Sequence, residues 1–382
     1  MKVLSLFANI GVAEAYLEEL GIDVVLANEL IPRRADLYSK IYPKTKMICG
    51  DITDKKVFSS IINDAHSLGV DMIMATPPCQ GISRAGKQIA NDCRNLLILP
   101  VISCIQELLP RYVMIENVPQ FTETFIEIDG EQVLILDHIN SVLNKQYYIS
   151  VNVIDTKYYS VPQTRQRTII LLTRRDQPYR WEVPSKSASL VSLRDAIGDL
   201  PSLDPFISDV SEDDFLRIFP AYYDKKAIGQ RISVWHTPPK HIKRQVVTMM
   251  HTPTGKTAFD NIKYIPLKSD GTPVRGYKST YRRLRWEDPA STVTMDNRKI
   301  SSQNNVHPGR YIGLDEQGDV LYSDPRALTL FELMRVMSLP DNWPLPINSN
   351  EAFVRSVIGE GIPPMFIKLL FEQLCEVSNE KD

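Results

Sequence analysis

Unbroken apolar runs recur along the first half of the chain. Val3-Leu4-Ser5-Leu6-Phe7, Val24-Val25-Leu26-Ala27, Met47-Ile48-Cys49, Asp71-Met72-Ile73-Met74-Ala75 and Tyr112-Val113-Met114-Ile115 lack the strict polar alternation of a sheet with one face in water. Such runs predict strands of a parallel sheet covered on both faces. Helices are expected between them: Ala13 to Leu20, closed by Gly21 as a C-terminal cap, and Leu96 to Leu109, where Pro100 is tolerable only in the first turn. Gln132 to Leu143 reads as a further helix, and Tyr147 to Asp155 and Thr168 to Thr173 read as strands. The alternation predicts an α/β fold of the nucleotide-binding type, in which ligands lie at the carboxyl ends of the strands.

The pattern changes beyond Trp181. Proline and short polar stretches dominate from Pro184 to Pro325, which predicts a second domain, and the length of 382 residues leaves room for one. A helical stretch follows from Leu328 to Leu339, then a proline-rich connector from Pro340 to Pro346, Ala352 to Ile358, Gly359-Glu360-Gly361, Pro363-Pro364 and a closing amphipathic helix from Phe366 to Val377. The apolar runs are far shorter than the roughly 18 residues of a membrane span. The amino terminus enters a strand rather than a signal peptide, so a cytoplasmic chain with no membrane partner is expected. Cys49, Cys79, Cys93, Cys104 and Cys375 form no Cys-x-x-Cys pair and no cluster with metal spacing, so reduced thiols and no metal site are expected. The net charge of −2 conceals an asymmetry: Lys225 to Ile300 carries sixteen Lys and Arg against five Asp and Glu, whereas Ser185 to Asp224 carries three against eight. The basic segment suits a polyanion, although such a run is also what a solvated face looks like.

The candidate chemistry lies where the strands end. Thr76-Pro77-Pro78-Cys79-Gln80-Gly81-Ile82-Ser83 follows the fourth run; its two prolines fix the backbone and hold Cys79 on a rigid turn at a carboxyl end. Alone, such a cysteine reads more readily as a half-buried structural residue in a tight turn. Gly81 to Asn95 is polar and glycine-containing, as a loop that closes over a substrate would be. Glu29 ends the second strand, where a carboxylate can accept from two ribose hydroxyls. Asp51 follows the third and could accept from an adenine amino group, or cap the helix that opens at Thr53-Asp54. Glu116-Asn117-Val118-Pro119 ends the fifth. Gln163-Thr164-Arg165-Gln166-Arg167 places two arginines on one face of an extended segment.

Taken in order, these motifs resemble those of the cytosine-C5 DNA methyltransferases over nearly the whole chain. Phe7 to Gly11 is similar to the family's first S-adenosylmethionine motif, Pro78-Cys79-Gln80 to its catalytic motif, Glu116-Asn117-Val118 to its substrate-cytosine motif and Gln163 to Arg167 to its Gln-x-Arg-x-Arg motif. Arg283-Leu284 with Trp286-Glu287-Asp288-Pro289, then Arg326 to Pro340 with Glu332 and Arg335, resemble the frame that follows the target recognition domain, and Gly359 to Pro364 the last motif. The resemblance implies a Rossmann-like S-adenosylmethionine-dependent domain over residues 1–180, completed by 345–382, with a smaller target recognition domain and connector over 181–344. It implies Cys79 as nucleophile, Glu116 as the acid at the cytosine N3, and Arg165 and Arg167 as groups that orient the base and steady the catalytic loop. Phe7, Asn9, Ile10, Gly11, Glu29, Asp51, Ile52, Pro78, Leu97 and Glu360 would hold the cofactor. Double-stranded DNA would be the substrate, with the cytosine flipped out of the duplex. A monomer working beside a separate restriction endonuclease is the expected arrangement.

Three positions depart from the family's usual pattern: Ser5 stands where an aspartate is common, Asn9 where a glycine is usual and Glu360 where an asparagine is usual. Two rival readings accompany this one. A tRNA cytosine-C5 methyltransferase would share the fold and motifs, and a non-catalytic DNA-binding regulator could use a relic of the scaffold; the long recognition segment and the retained Cys79, Glu116 and Arg167 favour the DNA enzyme.

Overall fold

The computed structural model describes residues 1–78 and 93–379. Seven strands form its central sheet: β1 (Lys2–Leu6), β2 (Asp23–Glu29), β3 (Lys46–Cys49), β4 (Met72–Ala75), β5 (Tyr112–Asn117), β8 (Tyr147–Asp155) and β9 (Gln166–Arg174), with β6 (Phe125–Ile128) and β7 (Glu131–Leu134) set apart as a hairpin. The order is β3-β2-β1-β4-β5-β9-β8. The first five strands of that order run parallel, and β9 is antiparallel to both β5 and β8. Strand order therefore reverses between β1 and β4, and their carboxyl ends flank the crevice in which open α/β sheets bind ligands.

Helices cover both faces, as the unbroken apolar runs require. α1 (Pro32–Ile41) opens with proline in its first turn, and α2 (Lys55–Leu68) is capped by Asp54, which accepts from the Lys56 and Val57 amides. α3 (Ile98–Leu108) carries Pro100 in its first turn, and α4 (Ile135–Leu143) follows the hairpin. Leu4, Leu6, Ile73, Val113 and Ile115 pack with Ile61, Ile102 and Ile139 of α2, α3 and α4 on one face. On the other, Val3, Met72, Met114 and Leu171 meet Phe366, Leu370 and Phe371. Those three come from the carboxyl-terminal segment, so the end of the chain covers the sheet that its beginning forms.

Two expected helices take other forms. Ala13 to Leu20 is a chain of turns with amide-to-carbonyl bonds three residues apart, ending in a single 3-10 turn, Glu18–Leu20, that Gly21 closes in the left-handed region. Its side chains are claimed by tertiary partners in different directions: Ala15 packs against one core, Leu17 enters another, and the Tyr16 hydroxyl donates to Ser338 O. Packing here overrides local helix preference. The first residues of Gln132 to Leu143 pair instead with Phe125–Ile128, through a turn in which Asp129 and Gly130 both have positive φ. Asp-Gly at a two-residue turn is a strong hairpin signal, and it outweighs the helical pattern.

After Trp181, which is buried against α11 (Pro364–Asn379), the elements are short. They are α5 (Leu193–Ile197), α6 (Glu212–Ile218), α7 (Tyr222–Ile232), α8 (Lys243–Met250), the paired β10 (Phe206–Ile207) and β11 (Lys240–His241), and the hairpin β12 (Tyr311–Leu314) and β13 (Val320–Tyr322). Two small cores belong to this region, one around Phe215 and Tyr222 and one around Met249 and Tyr281. α9 (Leu330–Val336) and α10 (Glu351–Glu360) lie in a third core that joins Leu193, Trp286, Leu333 and Val357 to Ile10, Val12 and Leu37 of the amino-terminal segment. α9 is shorter than the expected Leu328 to Leu339 because Thr329 caps it, with Glu332 completing a capping box. Among the described residues no helix is long and apolar enough to cross a membrane.

Candidate active site

The turn after β1 is built from unusual backbone. Phe7, Asn9 and Gly11 all have positive φ, of 59°, 51° and 77°. At Gly11 a Cβ would overlap the Tyr42 ring, and the Tyr42 hydroxyl donates to Gly11 O at 2.5 Å, so only glycine fits. Asparagine tolerates the left-handed region better than most residues, which explains how Asn9 stands where a glycine is usual. Its amide donates to Glu29 Oε2 at 2.9 Å, and the Ile31 amide donates to Glu29 Oε1 at 2.9 Å. Glu29 is 5% exposed, yet a carboxylate has about four acceptor sites, so two remain for ribose hydroxyls. Asn9 Nδ2 donates to Val357 O at 3.2 Å, which leaves Oδ1 buried without a partner. An unpaired buried acceptor costs about 1–3 kcal/mol, and the ammonium of a methionyl group would satisfy it. The turn thus fits the amino-acid end of S-adenosylmethionine.

β2 and β3 are locked beside it: Asn28 Nδ2 donates to Ile48 O and Gly50 O, and the Gly50 amide donates to Glu29 O. Asp51 Oδ1 accepts from the Thr53 amide and hydroxyl, at 2.9 and 2.7 Å. The cap of α2 is Asp54, so Asp51 does not hold the capping role open to it in the sequence and stays exposed at the edge of the crevice. Ile10 and Ile52, expected to touch the cofactor, have core side chains at 0% and 3% exposure and can offer a ligand only their main chain. Phe7, Leu97 and Pro78 are half-buried near the same strand ends, the first two packing on the core of α2 and α3. Glu360 ends α10 with Oε1 2.8 Å from Arg34 Nη2. Burial raises its carboxyl above the usual range and Arg34 opposes that rise.

Arg34 and Glu14 were not apparent as site residues. Arg33 and Arg34 occupy the first turn of α1, where the helix dipole disfavours cations; that misfit was the available signal. Both reach α10, Arg33 over the Phe353 ring at 4.0 Å and Arg34 to Glu360. Glu14 is 3% exposed and bonded by the Ser5 hydroxyl, so a carboxyl is present beside Ser5 after all.

The second half of the site lies at the ends of β4, β5 and β9. Thr76 closes β4 by donating through its amide to Leu6 O and through its hydroxyl to Phe7 O. Asn117 Nδ2 donates to Pro77 O at 3.1 Å, which ties the turn leading to Pro78 to the end of β5. Cys79, the expected nucleophile, and the polar loop as far as Asp92 lie outside the described residues. Glu116, 7% exposed, faces the neighbouring strand, and its Oε1 lies 2.7 Å from Arg167 Nε. The two arginines part company: Arg165, 1% exposed, donates to Val293 O at 2.7 Å, Gly359 O at 2.9 Å and Glu360 O at 3.2 Å. Expected to share a face with Arg167, it instead clamps the segment before β9 to α10, because Arg165 precedes the strand and its alternation does not extend to it. Gln163 ties the same segment to α9, accepting from the Val293 amide and donating to Val336 O at the end of that helix.

Comparison with known proteins extends the picture. The model of the C-5 cytosine-specific DNA methylase family matches residues 1–376. The chain is 42% identical, over 97% of both sequences, to the Type II methyltransferase M1.HgaI of Avibacterium volantium. It is 23% identical to M.XorII of Xanthomonas oryzae, over 99% of this chain and 85% of that protein. In fold it is similar to a prophage-encoded DNA modification methyltransferase structure from E. coli, with a TM-score of 0.68 and 18% identity over the whole of both chains. The S. pombe Dnmt2 methyltransferase shares the fold with a TM-score of 0.59 and 16% identity over 99% of each chain.

Proposed function

From the premise that the chain belongs to the C-5 cytosine-specific DNA methylases, we propose that it is the modification enzyme of a Type II restriction-modification system, acting as a monomer on a cytosine within a specific double-stranded sequence. S-adenosylmethionine supplies an electrophilic methyl group. The chain supplies the rest. Carbon 5 of cytosine is a poor nucleophile; addition of the Cys79 thiolate at carbon 6 makes it an enamine able to take the methyl group. Glu116 donates a proton to N3 as the addition proceeds, and Arg167, already held at 2.7 Å from Glu116, orients the base through O2. Arg165 and Gln163 position that pair by fixing the segment before β9. The cofactor rests on the turn from Phe7 to Gly11, with Glu29 on its ribose and Asp51 at its adenine.

The observation that carries this reading is the Asn117–Pro77 bond, which couples the strand bearing Glu116 to the main chain that enters Pro78-Cys79. It supports acid and nucleophile acting on one base. Double-stranded DNA is favoured over tRNA because the relative at 42% identity spans the whole chain, recognition segment included. Methyl transfer from radiolabelled cofactor to duplex DNA and to tRNA, followed by bisulfite sequencing of DNA from expressing cells, tests it. Protected cytosines at one short sequence are expected; label in tRNA alone would overturn the reading.

A further inference from the structure

Two buried side-chain atoms around the turn after β1 lack a hydrogen-bond partner among the described residues: the acceptor Asn9 Oδ1 and the donor Arg34 Nε. They are orphans of opposite kind on side chains that converge. Asn9 Nδ2 donates to Val357 O at 3.2 Å and Arg34 Nη2 lies 2.8 Å from Glu360 Oε1, so both side chains finish at the carboxyl end of α10. Val357 and Glu360 are less than one turn apart on that helix, about 4.5 Å of rise. The main chains converge as well. Glu29 takes the Asn9 amide on one oxygen and the Ile31 amide on the other, and the Arg34 amide donates to Ile31 O in the first turn of α1. A Cβ on Gly361 would lie 2.9 Å from Val12 Cβ, so the end of α10 rests against the same amino-terminal segment. The Glu29 charge also reaches the Glu360 carboxyl, where it adds to the rise that burial causes.

Glu360 does not account for all of Arg34. A guanidinium presents five N–H donors in a planar fork that matches a carboxylate, and here the Nε donor is buried and unused. The ammonium that suits Asn9 Oδ1 belongs to an α-amino acid, whose carboxylate hangs from the same carbon and must lie beside it. We propose that Arg34 binds that carboxylate through Nε, so that Asn9 and Arg34 together take the two charges of the cofactor's zwitterionic end. Glu360 steadies the guanidinium from its other edge, through Nη2. Asn9 and Glu360, two of the positions that depart from the family's usual pattern, then belong to one device with Arg34. The cations in the first turn of α1, unfavourable to the helix dipole on their own, gain a reason at Arg34: an anion arrives with the ligand.

The inference rests on the cofactor reading above, and one experiment separates the two. Titration calorimetry of the full chain with S-adenosylmethionine and with decarboxylated S-adenosylmethionine, which keeps the sulfonium nucleoside and the ammonium, measures what the carboxylate contributes. The natural protein is expected to prefer the carboxylated ligand by about tenfold to a hundredfold, the worth of a hydrogen bond between charged groups. Arg34→Gln is expected to lose most of that preference by weakening S-adenosylmethionine alone. Glu360→Gln removes the present partner of the guanidinium but not its Nε donor, and is expected to keep the preference. Equal affinities for the two ligands in the natural protein, a preference that survives in Arg34→Gln, or an Arg34→Gln that weakens both ligands by the same factor, as loss of the Glu360 contact alone would, overturns the role of Arg34 and leaves the cofactor reading standing. Failure of both ligands to bind the natural protein would overturn the cofactor reading with it.

Discussion

Gly11 and Glu29 show how single residues set the turn after β1. In Gly11→Ala the left-handed φ costs about 1–2 kcal/mol, and the added methyl must displace the Tyr42 ring. Urea unfolding is expected to show a loss of at least that size, together with weaker cofactor binding; a variant as stable as the natural chain would refute the tight packing of the turn. Glu29→Ala and Asp51→Ala are each expected to lower S-adenosylmethionine affinity by about 1.5–3 kcal/mol, the worth of a hydrogen bond to a charged acceptor. Only Glu29→Ala is expected to lower stability as well, because it leaves the Asn9 and Ile31 amides unpaired. Calorimetry that finds unchanged affinity in both variants contradicts the assignment. Glu29, Asp51 and Glu116 were legible in the sequence because an acid directly after an apolar run must sit at a strand's carboxyl edge. Arg34 was not, since its role depends on a later element, α10, that folds back over α1.

At the scale of elements, α9 is anchored by charge inside the core. Arg326 is fully buried; its guanidinium spans both Glu332 oxygens at 2.8 and 2.9 Å and reaches Asp324 at 2.8 Å. Burial alone would raise the Glu332 carboxyl, but Arg326 outweighs it and holds the group down to about 2. The pair's stabilisation is therefore complete above the ordinary carboxylate range and is lost as pH falls through about 2. Arg326→Met leaves two buried carboxylates without their cation, a loss of about 3–5 kcal/mol at pH 7. With the guanidinium gone, burial dominates, so the variant is expected to weaken as pH rises from acid to neutral. Urea unfolding across that range checks the sign, and a variant matching the natural stability at pH 7 would contradict it. The elements that the sequence misplaced have physical reasons of the same tertiary kind. Ala13 to Leu20 has helix-favouring residues but partners in two cores, and Gln132 to Leu134 loses its helical state to an Asp-Gly turn two residues upstream.

At the scale of the molecule, the charge asymmetry becomes a surface. Lys240, Lys243, Arg244, Lys256 and Arg275 are all exposed, whereas Arg283, counted in the same basic stretch, is buried with its guanidinium on main-chain carbonyls. Neutralising the five exposed residues together is expected to lower the slope of log K against log salt by up to about 0.9 for each phosphate that the protein no longer neutralises, with cofactor affinity unchanged. A slope that stays as it was would remove this stretch from the DNA face. The central claim is that Cys79 and Glu116 act together on one cytosine, and covalent trapping tests it most directly. Duplex DNA with 5-fluorocytosine at the target position blocks removal of the group at carbon 5, so the chain should remain joined to the base in a complex that survives denaturing electrophoresis. The adduct is expected with S-adenosylmethionine and the natural protein, to form more slowly with Glu116→Gln, which cannot supply the acid proton, and to vanish with Cys79→Ser, a far weaker nucleophile near neutral pH. No adduct from the natural protein on a recognised site with cofactor bound, or an adduct that persists in Cys79→Ser, would contradict the account.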